Sequence, residues 1–511
     1  MTAAVNAQKT YSNPIVPGFY PDPSICRVGD DFYMVTSTFE YFPGVPVFHS
    51  TDLVNWEQIG HCLTRESQLP LQNCRPSGGI FAPTIRYHTG TYYMVTTNIT
   101  GGGNFFVHTS DPSGEWSEPV WVAQTGIDPT LFFDVDGHVY FISTSRGKGI
   151  QLFEIDIKSG KQLSEPRSVW NGTGGRYPEA PHIYKKDGWY FLMLAEGGTE
   201  YGHMETIARS KSIFGPYRSN PANPILTHNK VETQRSPIQG TGHADLIQAK
   251  DGSWWMVALA LRPIGPQHHI LGRETFLAPV VWPEGGWPVV NGNGTIPLKL
   301  SAPLLPVHPV KEKPIRDDFN ESTPGMEWNY LRNPVATNYS FTEKKGILRM
   351  RGSGVTLNEA GSPTFLGRRQ QHFKFNATTS LEFLPQNENE EAGITVLMNN
   401  SHHYDLLIRH SSNQRVLVVR YTLGKLQYEE EEIALDPGNV ELRVAGTRTY
   451  YTFQYSQNKD PFVPVGKADT RYLSSETAGG FTGVYIGLYT TGNGKRSASN
   501  ADFHWFDYVG D

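Results

Sequence analysis

The sequence predicts an all-β protein in which a five-bladed β-propeller is followed by a β-sandwich. Three observations predict it: a pattern that recurs five times before residue 290, strand patterns after residue 315, and the composition. Of the 511 residues, 51 are Gly and 36 are Pro, 12% are aromatic and only 18% are charged. Aromatic residues favour strands, and Gly and Pro favour the tight turns between them. We therefore expect many short strands and few long helices.

The recurring pattern is an acidic or small residue, often followed by Pro, then a β-branched or Leu residue, a turn with Gly or Asp, and an aromatic strand. The turns are typical of hairpins. Successive copies are 46 to 64 residues apart, which suits one four-stranded propeller blade per copy. The copies begin at Asp22, Ala82, Asp128, Glu179 and His243.

Acidic residues begin three of the five copies, namely Asp22, Asp128 and Glu179. The innermost strand of each blade lines the central channel, so residues at these strand starts are expected to converge. An Asp before Pro is common in turns. Three clustered acids, however, repel each other and cost stability unless they are used. Glycoside hydrolysis needs one protonated and one ionised carboxyl group, and a third acid can raise the pKa of the proton donor.

The domain organisation changes after residue 290. We assign residues 11–295 to the propeller, 296–314 to a Pro-rich linker and 315–511 to the sandwich. The linker is expected to be extended. Alternating strand patterns beyond it predict two packed sheets of the jelly-roll, concanavalin-like kind. This second domain either binds carbohydrate by itself or packs on the propeller and lends a loop to its pocket. The prolines of the linker are Pro297, Pro303, Pro306, Pro309 and Pro314.

Charge and hydropathy argue against nucleic-acid and membrane partners. The net charge is −6 and no Lys/Arg run could neutralise a row of phosphates. The longest apolar run, residues 254–261, is far short of a membrane span. Residues 1–10 lack the apolar core of a secretory signal, and three cysteines fit a reducing compartment. We expect a cytoplasmic protein, or a secreted one if the N-terminus was trimmed.

Six motifs in the propeller region are weak singly and specific together. Together they resemble glycoside hydrolase family 43, especially its β-xylosidases and α-L-arabinofuranosidases, and the resemblance covers nearly the whole chain. Two positions depart from that pattern: Ala180 stands where Gly is usual, and Phe81 where Trp is common. The motifs are Tyr20-Pro-Asp-Pro-Ser-Ile, Thr36-Ser-Thr-Phe-Glu-Tyr-Phe-Pro-Gly, Ser77-Gly-Gly-Ile-Phe-Ala-Pro, Gly126-Ile-Asp-Pro-Thr-Leu-Phe, Pro178-Glu-Ala-Pro-His-Ile-Tyr with Ala195-Glu-Gly-Gly-Thr, and Leu271-Gly-Arg-Glu-Thr.

The resemblance implies a role for each acid. It makes Asp22 the general base, Asp128 the modulator of the proton donor's pKa and Glu179 the general acid, with inversion at the anomeric carbon. It also implies that Arg273 contacts sugar hydroxyls, which its planar guanidinium suits. The alternative for Arg273 is a salt bridge to Glu274 or to a neighbouring blade.

Three further residues are expected at the pocket. Phe39 and Phe81 are predicted as apolar walls for the sugar, with propeller core as the alternative. The resemblance places His243 beside the catalytic centre, where it implies a channel calcium ion bound largely through water. Such an ion would have a structural or electrostatic role, because calcium activates water poorly beside zinc. The resemblance also favours a sandwich domain that packs on the propeller.

The expected activity is inverting, exo-acting hydrolysis of terminal β-1,4-linked D-xylose from xylo-oligosaccharides, with α-L-arabinofuranosidase activity beside it. The near alternative is an α-L-arabinofuranosidase acting on arabinoxylan or arabinan side chains. Fructan and sucrose hydrolases also have five blades and three acids, but their Trp-Met-Asn-Asp-Pro and Arg-Asp-Pro motifs are absent. A non-catalytic sugar-binding propeller is the other alternative. The sequence leaves self-association open.

Overall fold

The computed structural model describes residues 10–233, 235–265, 267–301, 310 and 315–511. These residues form the predicted five-bladed β-propeller followed by a two-sheet β-sandwich. The predicted domain bounds stay a prediction, because most of the linker, with Pro303, Pro306, Pro309 and Pro314, lies outside the described residues.

Each propeller blade is an antiparallel sheet whose strands follow one another in chain order, and the fourth blade adds a short fifth strand. The first blade has Ser24–Val28, Asp31–Val35, Gly44–Ser50 and Glu57–Leu63, and the second has Thr84–His88, Thr91–Asn98, Gly103–Thr109 and Val120–Trp121. The third blade has Ile127–Phe133, Val139–Ser145, Gly149–Glu154 and Arg167–Ser168. The fourth has Glu179–Lys186, Trp189–Glu196, Met204–Ser210, Arg218–Ser219 and Leu226–Thr227, and the fifth has Gln239–Gln248, Trp254–Leu261, Glu274–Val281 and Val289–Val290.

The circle closes between the first and fifth blades. Ser24 Oγ donates to Asp245 Oδ2 at 2.8 Å, which joins the innermost strands of those blades. The start of the chain also lies on the fifth blade, because the Asn13 side chain exchanges two hydrogen bonds of 2.9 Å with the Leu277 backbone. Strand Tyr11–Ser12 pairs with Lys299–Leu300, a short strand inside the segment that we assigned to the linker. Both ends of the propeller segment are therefore fixed at one blade.

The sandwich consists of two large sheets. One has, in spatial order, Tyr339–Ser340, Leu348–Arg351, Asn500–Gly510, Phe375–Phe383, Val440–Gly446, Tyr450–Gln457 and Val463–Asp469, with Arg316–Asp317 beside Asn500–Gly510. The other has Leu426–Glu429, Gln414–Leu423, His402–Ser411, Glu391–Asn399, Tyr485–Thr491, Thr364–Arg369, Trp328–Leu331 and Tyr41–Phe42, with Ile433–Ala434 beside Gln414–Leu423. The helices are the 3-10 turns Val231–Thr233, Ala336–Asn338 and Thr470–Leu473 and the α-helix Ser475–Ala478. No helix in the described part of the chain is long and apolar enough to cross a membrane.

The sandwich packs directly on the propeller. Strand Tyr41–Phe42, which belongs to the first blade's segment, is the edge strand of the second sandwich sheet. The Tyr41 ring stacks on Tyr485 of the sandwich, with centroids 3.9 Å apart. Arg332 of the sandwich is fully buried and donates to the Cys74 carbonyl oxygen at 2.6 Å. A buried guanidinium that bonds a propeller carbonyl holds the two domains in one orientation, because leaving it unpaired would be costly.

The three cysteines are buried free thiols. Cys26, Cys62 and Cys74 belong to the apolar core that joins the first two blades. Burial raises the pKa of the Cys26 thiol to about 12. A thiol with a raised pKa is a weak nucleophile, so these cysteines serve packing.

Candidate active site

The innermost strands begin with a shared irregularity. Regular pairing with the second strand starts at Ser24, Thr84, Thr130, His182 and Asp245. The residues two positions earlier are Asp22, Ala82, Asp128, Ala180 and His243. Four of these five have left-handed backbone, with φ of 55° at Asp22, 53° at Asp128, 51° at Ala180 and 47° at His243.

We assigned Glu179 to the position equivalent to Asp22 and Asp128. In the structure it lies one residue before that position. The pairing register shifts between Glu179 and His182, and Ala180 occupies the place equivalent to Asp22 and Asp128. A glutamate side chain is one methylene longer than an aspartate, which suits a position one residue farther from the regular strand. The left-handed backbone at Ala180 also gives a physical reason why glycine is usual at this position of the motif, since glycine has no Cβ to strain there.

A cavity of about 130 Å³ lies at the point where these strand starts converge. It brings together every site residue that the sequence predicts, and these residues come from the segments of all five blades. The lining residues are Asp22, Phe39, Phe81, Ala82, Ile127, Asp128, Glu179, Thr199, His243, Arg273 and Phe481.

Asp22 is buried among groups that favour its charged form. Arg273 Nη1 donates to Asp22 Oδ1 at 2.6 Å, and the Ser37 hydroxyl donates to Asp22 Oδ2. His243 Nδ1 is 3.6 Å from Asp22 Oδ1. Burial alone would raise the pKa of Asp22, but Arg273, His243 and the Ser37 hydrogen bond together hold it below its ordinary value. Asp22 is thus an ionised carboxylate at neutral pH.

Glu179 and Asp128 are carboxyl groups whose pKa values move in the opposite direction. Burial, and then the Asp22 carboxylate, raise the pKa of Glu179 to about 7. Burial, then Glu179 and then Asp22, raise the pKa of Asp128 well above its ordinary value. Two interacting acids lose their protons as a pair, and the second proton leaves at a higher pH than it would from either acid alone. The pocket therefore holds one ionised carboxylate beside two coupled carboxyl groups whose pKa values are raised.

Arg273 points into the pocket and does not pair with Glu274. Its Nη1 also donates to Thr199 Oγ1 at 3.0 Å, and its Nη2 to the Phe481 carbonyl oxygen at 3.4 Å. Glu274 is instead paired with Arg262 at 2.6 Å. Of the alternatives for Arg273, the salt bridge to another blade is present, and its partner is Asp22 of the pocket itself.

Three aromatic rings form one wall of the pocket. Phe39 and Phe81 have centroids 5.4 Å apart, and Phe481 lies 6.0 Å from Phe39 and 6.3 Å from Phe81. Phe39 is buried, whereas Phe481 is 39% exposed. Phe481 comes from the sandwich, so that domain contributes a side chain to a pocket that is otherwise made by the propeller.

A wider groove of about 800 Å³ lies beside this pocket and shares Phe81, Glu179 and Phe481 with it. Most of its remaining lining comes from the second to fourth blades and includes the exposed Arg146 and Tyr177. A small inner cavity that opens to a larger outer groove at Glu179 can hold one sugar unit inside and the rest of a chain outside.

Comparisons with known proteins agree with this geometry. Residues 11–288 match the glycosyl hydrolases family 43 domain, and residues 316–509 match the beta xylosidase C-terminal concanavalin A-like domain. The chain belongs to glycoside hydrolase family 43. The family 43 fold, the enzyme class and the resemblance expected from the sequence are thereby confirmed.

Relatives within family 43 span both domains. The non-reducing end alpha-L-arabinofuranosidase BoGH43B of Bacteroides ovatus is 47% identical over 98% of this chain and 95% of its own length. A xylosidase/arabinosidase of Butyrivibrio fibrisolvens is 40% identical over 97% of this chain and 98% of its own. The solved structure titled Bacteroides ovatus Xyloglucan PUL GH43B has a TM-score of 0.95 at 46% identity and covers 98% of this chain and 100% of that one.

The residues around His243 supply few direct ligands for the predicted calcium ion. Across the described ranges, no group of three or more His, Cys, Asp or Glu side chains is arranged to hold a metal. His243 offers a single imidazole, and the neighbouring Asp22 already pairs with Arg273. Calcium takes six to eight oxygen ligands. Calcium stays a prediction, and no step below depends on it.

Sequence reasoning missed Ile127, Thr199 and Phe481 in the lining of this family 43 pocket, and Ser37, which donates to Asp22 beside it. Ser37 and Thr199 both lie inside motifs that carried the resemblance, so their membership of those motifs was an available signal. Phe481 follows two glycines in the sandwich domain, and nothing in its local pattern indicates a pocket more than 200 residues away.

Proposed function

We propose that the protein is an inverting, exo-acting glycosidase that removes terminal β-1,4-linked D-xylose from xylo-oligosaccharides. One observation carries the proposal: the pocket holds Asp22 with a lowered pKa and Glu179 with a pKa raised to about 7. Two carboxyl groups whose environments separate their pKa values are suited to the roles of base and acid at neutral pH.

In the proposed reaction, Glu179 donates its proton to the glycosidic oxygen as the bond from that oxygen to the anomeric carbon breaks. A water molecule attacks the anomeric carbon from the opposite face, and Asp22 accepts the proton that this water loses. The oxygen–carbon bond formed by water replaces the bond lost to the leaving group, so the configuration inverts. Arg273 keeps Asp22 ionised and in place before the attack.

Asp128 influences how readily Glu179 releases its proton and takes no direct part in breaking the glycosidic bond. The two carboxyl groups are coupled, so ionising one makes it harder to ionise the other. Burial and the Asp22 carboxylate are the main causes that raise the pKa of Glu179, and the coupling to Asp128 opposes ionisation of both groups together. This is the modulating role that the resemblance implies for Asp128.

The shape of the site supports attack at a chain end. The inner pocket of about 130 Å³ is bounded by Phe481 of the sandwich, and the groove of about 800 Å³ begins at Glu179. One terminal sugar fits inside, with its leaving-group oxygen toward Glu179 and the remainder of the oligosaccharide in the groove. Xylan-derived oligosaccharides are the expected substrates.

The second candidate function is an α-L-arabinofuranosidase that acts on arabinoxylan or arabinan side chains. It is favoured by the 47% identical relative, which is named a non-reducing end alpha-L-arabinofuranosidase. The main proposal is favoured by the match of the sandwich to the C-terminal domain of beta xylosidases. The two terminal sugars present similar hydroxyl groups to Arg273, so one enzyme could accept both.

The deciding experiment compares kcat/KM for nitrophenyl β-D-xyloside and nitrophenyl α-L-arabinofuranoside under one set of conditions. A higher value for the xyloside supports the main proposal. A value for the arabinoside about tenfold above the xyloside, equivalent to 1.4 kcal/mol, would replace it with the alternative. Absence of turnover of both would contradict both proposals and favour a sugar-binding propeller.

A further inference from the structure

We propose that Glu476 of the sandwich domain is a positioning residue for the sugar pocket, because it connects the three loops that carry Thr199, Arg273 and Phe481. The inference rests on the proposed function, since it concerns binding of the terminal sugar at that site. Glu476 itself does not line the inner pocket.

The Glu476 carboxylate accepts three hydrogen bonds from the propeller. Its Oε2 accepts from the His269 backbone N–H at 2.9 Å, and its Oε1 accepts from His269 Nδ1 at 2.6 Å and from the Tyr201 hydroxyl at 2.9 Å. His269 lies in the fifth blade's segment and Tyr201 in the fourth, so one side chain joins three parts of the molecule.

Each connected loop delivers a pocket residue a few positions away. Tyr201 is two residues after Thr199, His269 is four before Arg273, and Glu476 is five before Phe481. Thr199, Arg273 and Phe481 in turn contact one another, because Arg273 donates to the Thr199 hydroxyl and to the Phe481 carbonyl oxygen. The contacts at Glu476 and the contacts at Arg273 therefore link the same three loops at two places along one side of the pocket.

A cavity behind this wall makes the Glu476 contacts important. A cavity of about 390 Å³ is lined by both sets of residues, among them Thr199, Arg273, Glu476 and Phe481. Close-packed neighbours would otherwise fix the wall. Where such a space exists, loops can shift into it when their hydrogen bonds are lost.

The charge of Glu476 suits this role. Although burial opposes ionisation, the hydrogen bonds and charge of His269 lower the pKa of Glu476 to about 2. A carboxylate accepting from N–H and O–H donors makes stronger hydrogen bonds than a neutral amide would. Glu476→Gln therefore keeps the size of the side chain and weakens its contacts with Tyr201 and His269.

Loosening this wall should affect sugar binding more than chemistry. Phe481 and Thr199 lie on loops that face the sugar site, whereas Asp22, Asp128 and Glu179 lie at or just before the starts of innermost strands, none of which Glu476 contacts. We expect Glu476→Gln to raise KM about threefold to tenfold, the range that one aromatic contact supports, and to change kcat less than about twofold.

The experiment measures kcat and KM of Glu476→Gln with the better nitrophenyl glycoside, together with the thermal unfolding midpoint. Glu343→Gln is the matched control, because Glu343 is another sandwich glutamate in an ion pair, here with Arg349 and Arg351, and it lies away from the pocket. The control should leave KM unchanged. Tyr201→Phe removes only the hydroxyl contact and should give a smaller rise in KM, which keeps the test valid if Glu476→Gln does not fold. Unchanged KM in a folded Glu476→Gln would overturn the proposal.

A double-mutant cycle with Phe481→Ala separates positioning from general stability. If Glu476 acts through Phe481, its substitution adds little to the rise in KM that Phe481→Ala already causes. Fully additive effects would contradict the proposal. The dissociation constant for D-xylose, measured by calorimetry, gives the same comparison without turnover. If the wild type proves inactive, the proposed function fails while this binding measurement still decides the role of Glu476.

Discussion

Arg273 of the fifth blade donates a hydrogen bond of 2.6 Å to Asp22 of the first blade, 251 positions away in the chain. This contact joins the group that would orient the sugar to the group that would activate water. It also lowers the pKa of Asp22 against the effect of burial. A base whose pKa is lowered is ionised over a wider pH range.

Replacing Arg273 should shift the acidic limb of the pH profile. In Arg273→Gln the pKa of Asp22 rises, so Asp22 becomes protonated at a higher pH and activity is lost earlier on acidification. We also expect kcat/KM at neutral pH to fall about 10²-fold, because base and sugar lose their alignment. The measurement is kcat/KM against pH, with Arg316→Gln, a surface ion-pair arginine of the sandwich, as the control. An acidic limb that stays in place would show that Arg273 does not set the charge of Asp22.

Substitutions of Asp22 and Glu179 should differ in how the loss of activity depends on the leaving group. Asp22→Asn should lower kcat by about 10²- to 10⁴-fold for every glycoside, because the water is no longer deprotonated. Glu179→Gln should lose a similar factor with poor leaving groups but retain far more activity with dinitrophenyl glycosides, which need little proton donation. Glu154→Gln, in an exposed pair with His138, is the control. Equal losses for all leaving groups in Glu179→Gln would refute its role as the acid.

Substituting Asp128 should move the alkaline limb. The wild type should lose activity as Glu179 ionises, and its pKa is about 7. In Asp128→Asn no second acid competes with Glu179 for ionisation, so the modulating role implied for Asp128 predicts that Glu179 gives up its proton at a lower pH and that the alkaline limb shifts down. The pH dependence of kcat measures this in the enzyme–substrate complex. An unmoved alkaline limb would mean that Asp128 only orients its neighbours.

Position 180 offers a test of backbone strain beside the catalytic acid. Ala180 has φ of 51°, so Ala180→Gly should raise the free energy of unfolding by about 1 kcal/mol, measured by denaturant unfolding. Ala82 occupies the equivalent place in the second blade without a left-handed φ, and Ala82→Gly should be destabilising by about 0.5–1 kcal/mol. If both substitutions changed stability in the same direction, the strain at Ala180 would not be the cause.

The sequence alone was sufficient to predict the five blades and the convergence of the three acids. Short-range signals define a blade, because each hairpin turn lies within a few residues of the strands that it joins. The convergence of Asp22, Asp128 and Glu179 then follows from the circular arrangement alone. The sequence could not reveal the shift that puts Ala180 at the equivalent position, because a β-bulge changes register without leaving a periodic signal.

Contacts between distant segments also could not be predicted from the sequence. Strand Tyr41–Phe42 looked like part of the first blade, yet it completes a sandwich sheet by pairing with Trp328–Leu331. Phe481 reaches the pocket only because the whole sandwich packs against the propeller. Both depend on the relative placement of two domains, which local propensity and hydrophobic pattern do not encode.

The most direct test of the proposed acid–base pair is the anomeric form of the first product, followed by proton NMR immediately after enzyme is added to an aryl β-D-xyloside. Attack of water assisted by Asp22, opposite the face protonated by Glu179, predicts that α-D-xylose appears first and that the β form grows in later by mutarotation. If β-D-xylose appears first, the configuration is retained, and the assignment of Asp22 as a base that activates water is wrong.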